Sequence, residues 1–395
     1  MLDSQARRSA LMRYRWKSLL VNLSLLLGSL ALSLIFCEAI LRLVAQNDSP
    51  LSMDIYQLDP YDQVSLKPNV TRRHFTREWN VTVAINSEGL RDRPSPVPDT
   101  RGRILALGDS FAFGWGVELP ETYLYLAEEQ LRSEAIRVIK AGIPGTGTTD
   151  QLHWLRQYGG TYAPRLVIVS LFVGNDFTDV QMGGFKKQFT IKDGLMVRRS
   201  LDGTERSSPA REAIEKLKRT SLLAQRLAQV LWYLQNTFVA PQNRSNPGLN
   251  AVDRWLWEFA KVHLRQPPPE TVEAFARTRT ALDDIHQWCR QNNAEMLLLV
   301  QPRSMQIYDW ELAKWKEAYR INDEALDLDR PQRFLADWAA EKHVAILDLL
   351  PEFRAYQKSH SAERLYFYPD SHMNRIGNQL TGVLLAKWLN EFGFQ

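Results

Sequence analysis

Mainly apolar runs of four to eight residues, some with one or two polar residues such as Arg137 and Glu295, recur from residue 103 onward, and stretches with helical spacing of their apolar positions lie between them. The runs lie at 104–107, 136–139, 166–173, 294–301 and 343–350. Continuous apolar runs of this length are typical of strands that are buried on both faces of a parallel sheet. The helical stretches include 121–132, 149–158 and 375–392. Strands that alternate with helices predict a doubly wound parallel α/β sheet.

A longer apolar run, 19–37, contains 19 residues and no charge. As a helix it is long enough to cross a hydrocarbon core of about 30 Å. The basic residues that precede it are Arg7, Arg8, Arg13, Arg15 and Lys17. Positive charge favours the cytoplasmic side, which predicts a cytoplasmic segment 1–17, a transmembrane anchor 18–44 and an extracytoplasmic remainder. A cleaved signal peptide is the alternative, but the run exceeds the usual core and ends without an Ala-x-Ala site.

Residues 45–102 are predicted as a linker and a small β element. The linker, 46–68, is rich in Asp, Pro and Ser, and 74–90 holds two alternating stretches with a turn at Asn86-Ser87-Glu88-Gly89. A catalytic domain is predicted over 103–395, with an insertion at 177–270 where the strand–helix alternation stops. The insertion is predicted to hold a hairpin at 188–198, an amphipathic helix at 211–235, a loop at 241–250 and a helix with Trp255 and Trp257. Because it leaves the sheet beside the expected site, it is placed to form a lid or wall of the cleft.

Charge and cysteine content exclude several classes of function. The net charge of +4 equals the charge of the first 17 residues, so the rest of the chain is formally neutral. A neutral folded part argues against a nucleic-acid surface. Cys37 and Cys289 are the two cysteines, which is too few for a disulfide framework or a cysteine metal site. The sequence offers no plausible cluster of metal ligands, and Gly145-Thr146-Gly147 is not a phosphate loop because no Gly-Lys-Ser/Thr follows, so no metal or cofactor is expected.

Four polar blocks stand where a predicted strand ends or a predicted helix begins. They are Gly108-Asp109-Ser110-Phe111, 141–147, Gly174-Asn175-Asp176 and Asp370-Ser371-His372-Met373-Asn374. The carboxyl ends of parallel strands meet at one edge of a sheet, where open α/β sheets bind their ligands. Each block also has a plainer interpretation as a helix cap or a turn.

These blocks contain the side chains that nucleophilic catalysis requires. Ser110 is the candidate nucleophile, His372 its base, and Asp370 the group that orients the base. Residues two apart in an extended segment share a side, so Asp370 is expected to reach the His372 imidazole. The expected oxyanion donors are the backbone N–H groups of Ser110 and Gly145 and the side-chain amide of Asn175, with Gly142 as a rival to Gly145. Asp109 is expected to stabilise its turn. The histidines outside the four blocks are expected to be structural residues or surface residues.

The four blocks together resemble the SGNH (GDSL-type) hydrolase superfamily, in particular its membrane-anchored, extracytoplasmic bacterial branch. The resemblance covers about 103–390 outside the insertion, and also 86–91. It implies a flavodoxin-like three-layer α/β/α sandwich, with Ser110 as nucleophile, Gly145 and Asn175 as oxyanion donors, and the His372–Asp370 pair. It also implies a periplasmic catalytic domain on a single-pass anchor in the inner membrane.

One spacing departs from the commoner family pattern. The aspartate stands two residues before the histidine, whereas many members have three, and this spacing resembles the branch related to polysaccharide O-acetyltransferases. The leading hypothesis is a serine esterase that cleaves an O-acyl, chiefly O-acetyl, ester on a glycan or small molecule. The alternatives are a polysaccharide O-acetyltransferase with the same site, and a catalytically silent glycan-binding or assembly protein. Expected partners are the membrane and a membrane acyl donor or glycan-assembly protein.

Overall fold

The computed structural model describes residues 2–44, 53–76, 78–93, 102–131, 136–192, 194–199, 213–214, 217, 220–234, 260–368 and 370–393. The chain forms two compact units, one of residues 1–50 and 207–242 and the other of residues 51–206 and 243–395. The predicted loop at 241–250 and the residues Trp255 and Trp257 lie outside the described part of the chain.

The larger unit contains the strands. In chain order they are β1 (Tyr56–Leu58), β2 (Val64–Leu66), β3 (Val70–Phe75), β4 (Asn80–Ile85), β5 (Gly102–Gly108), β6 (Ile136–Gly142), β7 (Leu166–Phe172), β8 (Phe189–Lys192), β9 (Leu195–Arg198), β10 (Glu295–Gln301) and β11 (Ala345–Asp348).

The described α-helices are, in chain order, α1 (Leu2–Val44), α2 (Ser110–Phe113), α3 (Tyr123–Gln130), α4 (Thr148–Tyr158), α5 (Asp176–Gln181), α6 (Phe185–Gln188), α7 (Leu222–Leu234), α8 (Pro269–Gln291), α9 (Asp309–Tyr319), α10 (Arg330–Lys342), α11 (Leu350–Ser359) and α12 (Arg375–Glu391). Among these described helices, α1 and α7 belong to the smaller unit and the others to the larger unit.

Five parallel strands form the central sheet in the order β11–β10–β7–β5–β6. When only these five strands are numbered in chain order and the sheet is taken from the β6 edge, this is the flavodoxin-like order 2-1-3-4-5. The topological switch point lies between β5 and β7, and such a point is where doubly wound sheets bind ligands. The predicted parallel fold is therefore confirmed, and its expected binding edge contains the end of β5.

Helices cover both faces of this sheet, which makes the three layers. Leu105 and Val169 belong to the core cluster that also includes Leu155 of α4 and Leu282 of α8. Alternate residues of the same strands pack on the opposite side, with residues of α3 and α12. The central strands are buried on both faces because their sequences are continuously apolar, as expected for a parallel sheet.

Two antiparallel hairpins precede the sheet, and one of them differs from the sequence prediction. Within the predicted 46–68 linker, β1 pairs with β2, and Ile55, Tyr56 and Leu66 are buried. The second hairpin, β3 with β4, lies in the predicted β element, and the predicted turn at 86–89 follows β4, where the Gly89 N–H donates to Asn86 O at 3.2 Å. The hairpin predicted at 188–198 is present as β8 and β9.

The smaller unit consists of α1 and α7 in its described part. Trp16–Val44 of α1 is long and apolar enough to cross a membrane, and its window of highest hydropathy has no buried residue. The helix predicted over 211–235 is interrupted at Ser221, whose Oγ accepts a hydrogen bond from Ala224 N–H at 3.1 Å. A new helix, α7, therefore begins at Leu222.

Candidate active site

Ser110 is the first residue of the short helix α2, directly after the central strand β5. Asp109 caps this helix, since its Oδ1 accepts the Phe111 N–H at 2.8 Å. Strand β6 passes very close to this turn, because a Cβ at Gly142 would lie 2.3 Å from the Phe113 nitrogen. Gly142 therefore has a packing function, and the strand ends place the Ser110 hydroxyl at the switch-point edge.

The structure brings Ser110, His372 and Asp370 into one hydrogen-bonded line. The Ser110 Oγ lies 2.8 Å from His372 Nε2, and His372 Nδ1 lies 2.5 Å from Asp370 Oδ1. Ser110 and His372 are 262 residues apart in the sequence. With Nδ1–H donating to the carboxylate, Nε2 is free to accept the serine proton, which is the arrangement that a general base requires.

The link between Asp370 and His372 is a tight turn, which corrects the expectation of an extended segment. Ser371 between them has a φ of +71°, in the left-handed region that non-glycine residues seldom adopt. The Ser371 N–H donates to Phe367 O at 3.1 Å, and the Phe367 N–H donates to His372 O at 2.9 Å. The side chains meet because the backbone folds back, not because alternate residues share a side.

Aromatic side chains enclose the His372 imidazole. The Phe111 ring centroid lies 5.0 Å from it and the Trp115 ring 5.8 Å, while Phe111 stacks on Phe172 at 3.9 Å. Burial raises the pKa of Asp370, but the nearby His372 charge and its hydrogen bonds outweigh burial and hold that pKa below its usual value. Asp370 is therefore ionised at neutral pH and can stabilise an imidazolium.

Candidate oxyanion donors follow the two strands beside β5. Gly145 comes after β6 with a φ of +85°, and a Cβ there would lie 2.8 Å from Met196 Sδ. Among the described residues, neither the Ser110 N–H nor the Gly145 N–H has a hydrogen-bond acceptor. Asn175 follows β7, and its Nδ2 donates to Asp179 Oδ2 at 2.6 Å. An amide nitrogen carries two hydrogens, and Asn175 also hydrogen-bonds the buried Asp109 carboxyl, a contact that acts to lower the pKa of Asp109 against the raising effect of burial.

Buried carboxyl groups lie behind this edge of the sheet. Burial raises the pKa of Asp179 to about 7, against hydrogen bonds from Gln188 and Asn175 that lower it. Burial and the nearby Asp109 raise the pKa of Asp176 well above its usual value. These raised pKa values reflect the cost of holding several negative charges close together in a buried position.

The β3–β4 hairpin contributes residues that the sequence prediction missed. His74 is buried, its ring lies 4.4 Å from the Trp115 ring, and its Nδ1 accepts the Trp79 indole N–H at 3.2 Å. Burial lowers the pKa of His74 to about 4, so it is neutral at pH 7. His74 thus supports the Trp115 wall of the site. No spacing rule links residue 74 to residue 115, so the sequence alone carries no signal for this contact.

Arg91 is a second missed residue, within the 86–91 segment. Its guanidinium is buried and donates to the carbonyl oxygens of Phe113, Gly114 and Val117 at 3.0, 2.6 and 2.7 Å. Burial lowers the pKa of Arg91 to about 10, which leaves it a cation at neutral pH. The cation therefore fixes the turn that follows the Ser110 helix.

Within the described residues, no group of three or more His, Cys, Asp or Glu is placed to hold a metal.

Comparisons with known proteins give structural likeness only. No family model and no curated protein sequence matches the chain. Solved structures that match include the acetyl xylan esterase AlAXEase, with 13% identity, a TM-score of 0.39, and coverage of 73% of this chain and 98% of that chain. The lipase/acylhydrolase from Enterococcus faecalis matches with 13% identity, a TM-score of 0.39, and coverage of 74% and 96%. A catalytic mutant of Axe2, an acetylxylan esterase from Geobacillus stearothermophilus, matches with 13% identity, a TM-score of 0.37, and coverage of 75% and 97%.

Proposed function

We propose that this chain, which is similar to the SGNH hydrolases in fold and motifs, is a membrane-anchored serine esterase. The observation that carries the proposal is the line from Ser110 Oγ through the His372 imidazole to the Asp370 carboxylate, with separations of 2.8 and 2.5 Å. A serine hydroxyl is a weak nucleophile at neutral pH unless a neighbouring base takes its proton. This line supplies the base and the group that orients it.

The reaction proceeds through an acyl-serine. The Ser110 oxygen attacks the ester carbonyl carbon while its proton passes to His372 Nε2, and Asp370 stabilises the imidazolium. The negative oxygen accepts hydrogen bonds from Ser110 N–H, Gly145 N–H and Asn175. The ester C–O bond then breaks, and the leaving alcohol takes the proton from His372. A water molecule attacks the acyl carbon in the same way, which releases the acid and restores Ser110.

The proposed substrate is an O-acyl, chiefly O-acetyl, ester on a glycan outside the cytoplasm. The basic residues before the apolar helix support an N-terminus in the cytoplasm and a catalytic unit on the outer face of the inner membrane. Two partly exposed rings near the Asp370 turn support a sugar substrate, since Trp310 and Tyr368 lie 5.0 Å apart and are 37% and 43% exposed. Lys314 and Arg364 lie over these rings, so this surface places N–H donors for sugar hydroxyls beside exposed ring area.

A fluorophosphonate probe tests the nucleophile on the full chain in detergent micelles. The probe is expected to label the wild-type chain and Ser359→Ala, a matched control because Ser359 lies exposed at the end of α11. Ser110→Ala is expected to show no labelling. A folded wild-type chain that stays unlabelled contradicts the proposal, and so does a labelled Ser110→Ala variant.

Acyl transfer to a sugar hydroxyl is the second candidate, favoured by one observation. Asp370 and His372 are two residues apart, a spacing that resembles the O-acetyltransferase-related branch. The turn at Ser371 lets the two side chains hydrogen-bond at this spacing. Incubation with an acetyl donor and an oligosaccharide acceptor, followed by mass spectrometry, separates the two reactions. An acetylated sugar that requires Ser110 supports transfer, whereas free acetate without it supports hydrolysis.

A further inference from the structure

An acidic side chain lies within the apolar helix α1 and binds a second helix. The Glu38 carboxylate accepts hydrogen bonds from the Leu222 N–H at 3.1 Å, the Leu223 N–H at 2.9 Å and the Ser221 hydroxyl at 2.8 Å. The first N–H groups of a helix have no partner within that helix, and a carboxylate there also favours the helix dipole. Glu38 therefore caps α7 from another part of the chain.

A second contact fixes the same junction. Arg42 donates to Glu38 Oε1 at 2.7 Å and to the Thr220 carbonyl oxygen at 2.6 Å. Ionisable groups in membrane-spanning segments are costly and are retained where they have a partner and a function. Glu38 lies six residues before Val44, the last residue of α1, which is about 9 Å along a helix axis. Helix α7 therefore begins close to the outer end of the apolar helix.

Within the part of the chain that the structure describes, the rest of α7 presents an exposed apolar face. Leu227, Val230 and Leu231 are 52%, 52% and 60% exposed, and their spacing places them on one side of the helix. Arg226 is the single charged residue of α7. Exposed apolar side chains also lie on α1 shortly before Glu38, where Leu34 is 46% and Ile35 is 66% exposed. Two joined helices that each expose apolar side chains match the hydrocarbon of a bilayer.

We infer that α7 lies in the interface of the same bilayer that α1 crosses, with Leu227, Val230 and Leu231 among the lipid acyl chains. This inference rests on the proposed membrane anchoring. A helix held at the membrane boundary with one apolar face enters the interface plane by burying that face. The insertion therefore supplies a second membrane attachment through residues 220–234, and the lid or wall function expected from the sequence stays a prediction.

Fluorescence quenching by spin-labelled lipids tests the position of α7 in the full chain. In a Cys37→Ser background, where the remaining Cys289 is buried, an NBD label is placed at Leu231→Cys or Leu227→Cys. Leu27→Cys on α1 is the membrane reference, and Lys358→Cys, exposed on α11, is the solvent reference. Each variant is reconstituted into phosphatidylcholine–phosphatidylglycerol vesicles with doxyl-labelled phosphatidylcholine, and fluorophosphonate labelling of Ser110 reports that the catalytic unit is folded.

Quenching at 227 and 231 close to that at 27, and well above that at 358, is the expected result. Quenching at 27 without quenching at 227 and 231 overturns the inference and leaves the anchoring intact. No quenching at 27 overturns the anchoring itself, and the inference with it. Self-quenching of the 231 label that rises with protein density places a second copy on the face and also overturns the inference. In Glu38→Gln, which keeps the side-chain shape, quenching is expected to fall at 231 and stay unchanged at 27.

Discussion

The side-chain amide of Asn175 donates a 2.6 Å hydrogen bond to the carboxyl of Asp179, one turn further along α5. Asp179 is buried, and its other oxygen accepts a hydrogen bond from Gln188 at 2.9 Å. The bond fixes the plane of the amide and so determines where its second N–H points. Asp179 is therefore a positioning residue for the proposed oxyanion donor.

Removing this partner is expected to lower the rate without weakening substrate binding. Asn175→Ala removes a donor that acts in the transition state, so kcat is expected to fall about 100- to 1000-fold. Asp179→Asn leaves one acceptor oxygen for the two donors Asn175 and Gln188, which loosens the Asn175 amide, and a loss of about tenfold in kcat with little change in KM is expected. Steady-state kinetics on an acetyl ester measures both.

A double variant separates positioning from direct contact. If Asp179 acts through Asn175, then Asn175→Ala/Asp179→Asn loses no more activity than Asn175→Ala alone, since neighbouring residues with one shared effect are not additive. Multiplied losses in the double variant contradict the positioning function.

The raised pKa of Asp179, about 7, predicts a pH effect on stability. A carboxyl with a higher pKa in the folded state binds more protons when folded, so the free energy of unfolding decreases as pH rises from about 4 to 7. Asp179→Asn cannot titrate, and its unfolding midpoint is expected to fall less between pH 5 and pH 8 than that of the wild type. Asp323→Asn, at the surface, is the control. Parallel wild-type and Asp179→Asn curves contradict the prediction.

The Ser371 turn predicts a contrast between two substitutions. Glycine adopts a positive φ without strain, so Ser371→Gly is expected to keep activity within about threefold. Ser371→Val has a β-branched side chain that disfavours a φ of +71°, which would move Asp370 from His372. A loss of about 100-fold in kcat with an unchanged far-UV circular dichroism spectrum is expected. Full activity of Ser371→Val would show that the turn is not required.

Replacing the buried Arg91 is expected to cause a large loss of stability. Arg91→Ala leaves the Phe113, Gly114 and Val117 carbonyl oxygens without their buried donor, and a loss of about 3 kcal/mol in the free energy of unfolding is expected. Arg375→Ala removes an exposed ion pair with Glu121 and is expected to cost less than about 1 kcal/mol. Thermal unfolding of both variants measures the difference, and equal losses would contradict it.

The sheet and the four blocks were predictable because they depend on short-range patterns. A strand buried on both faces needs a continuous apolar run, so the positions of β5, β7 and β10 follow from the sequence. The polar residues that end those strands then meet at one edge by topology alone. The proximity of Ser110 and His372 follows from that edge, although their hydrogen bond does not.

Other features were not predictable because they depend on contacts between distant segments. The three-residue strands β1 and β2 lie in a polar, proline-containing stretch, and their stability comes from the burial of Ile55 and Leu66 in the core. The positive φ of Ser371 arises from hydrogen bonds with Phe367 and has no sequence signature. The cap that Glu38 provides joins residues more than 180 positions apart.

The smaller unit is formed by two separate segments of the chain, which determines how the larger unit, with its candidate active site, can be separated from it. Residues 1–50 and 207–242 belong together, so the polypeptide passes between the two units three times. A truncated chain that starts at residue 51 loses the Glu38 carboxylate but keeps helix α7, with its apolar face in water and its first N–H groups uncapped. A soluble enzyme therefore requires removal of both segments, and one proteolytic cut after α1 leaves the detached product prone to aggregation.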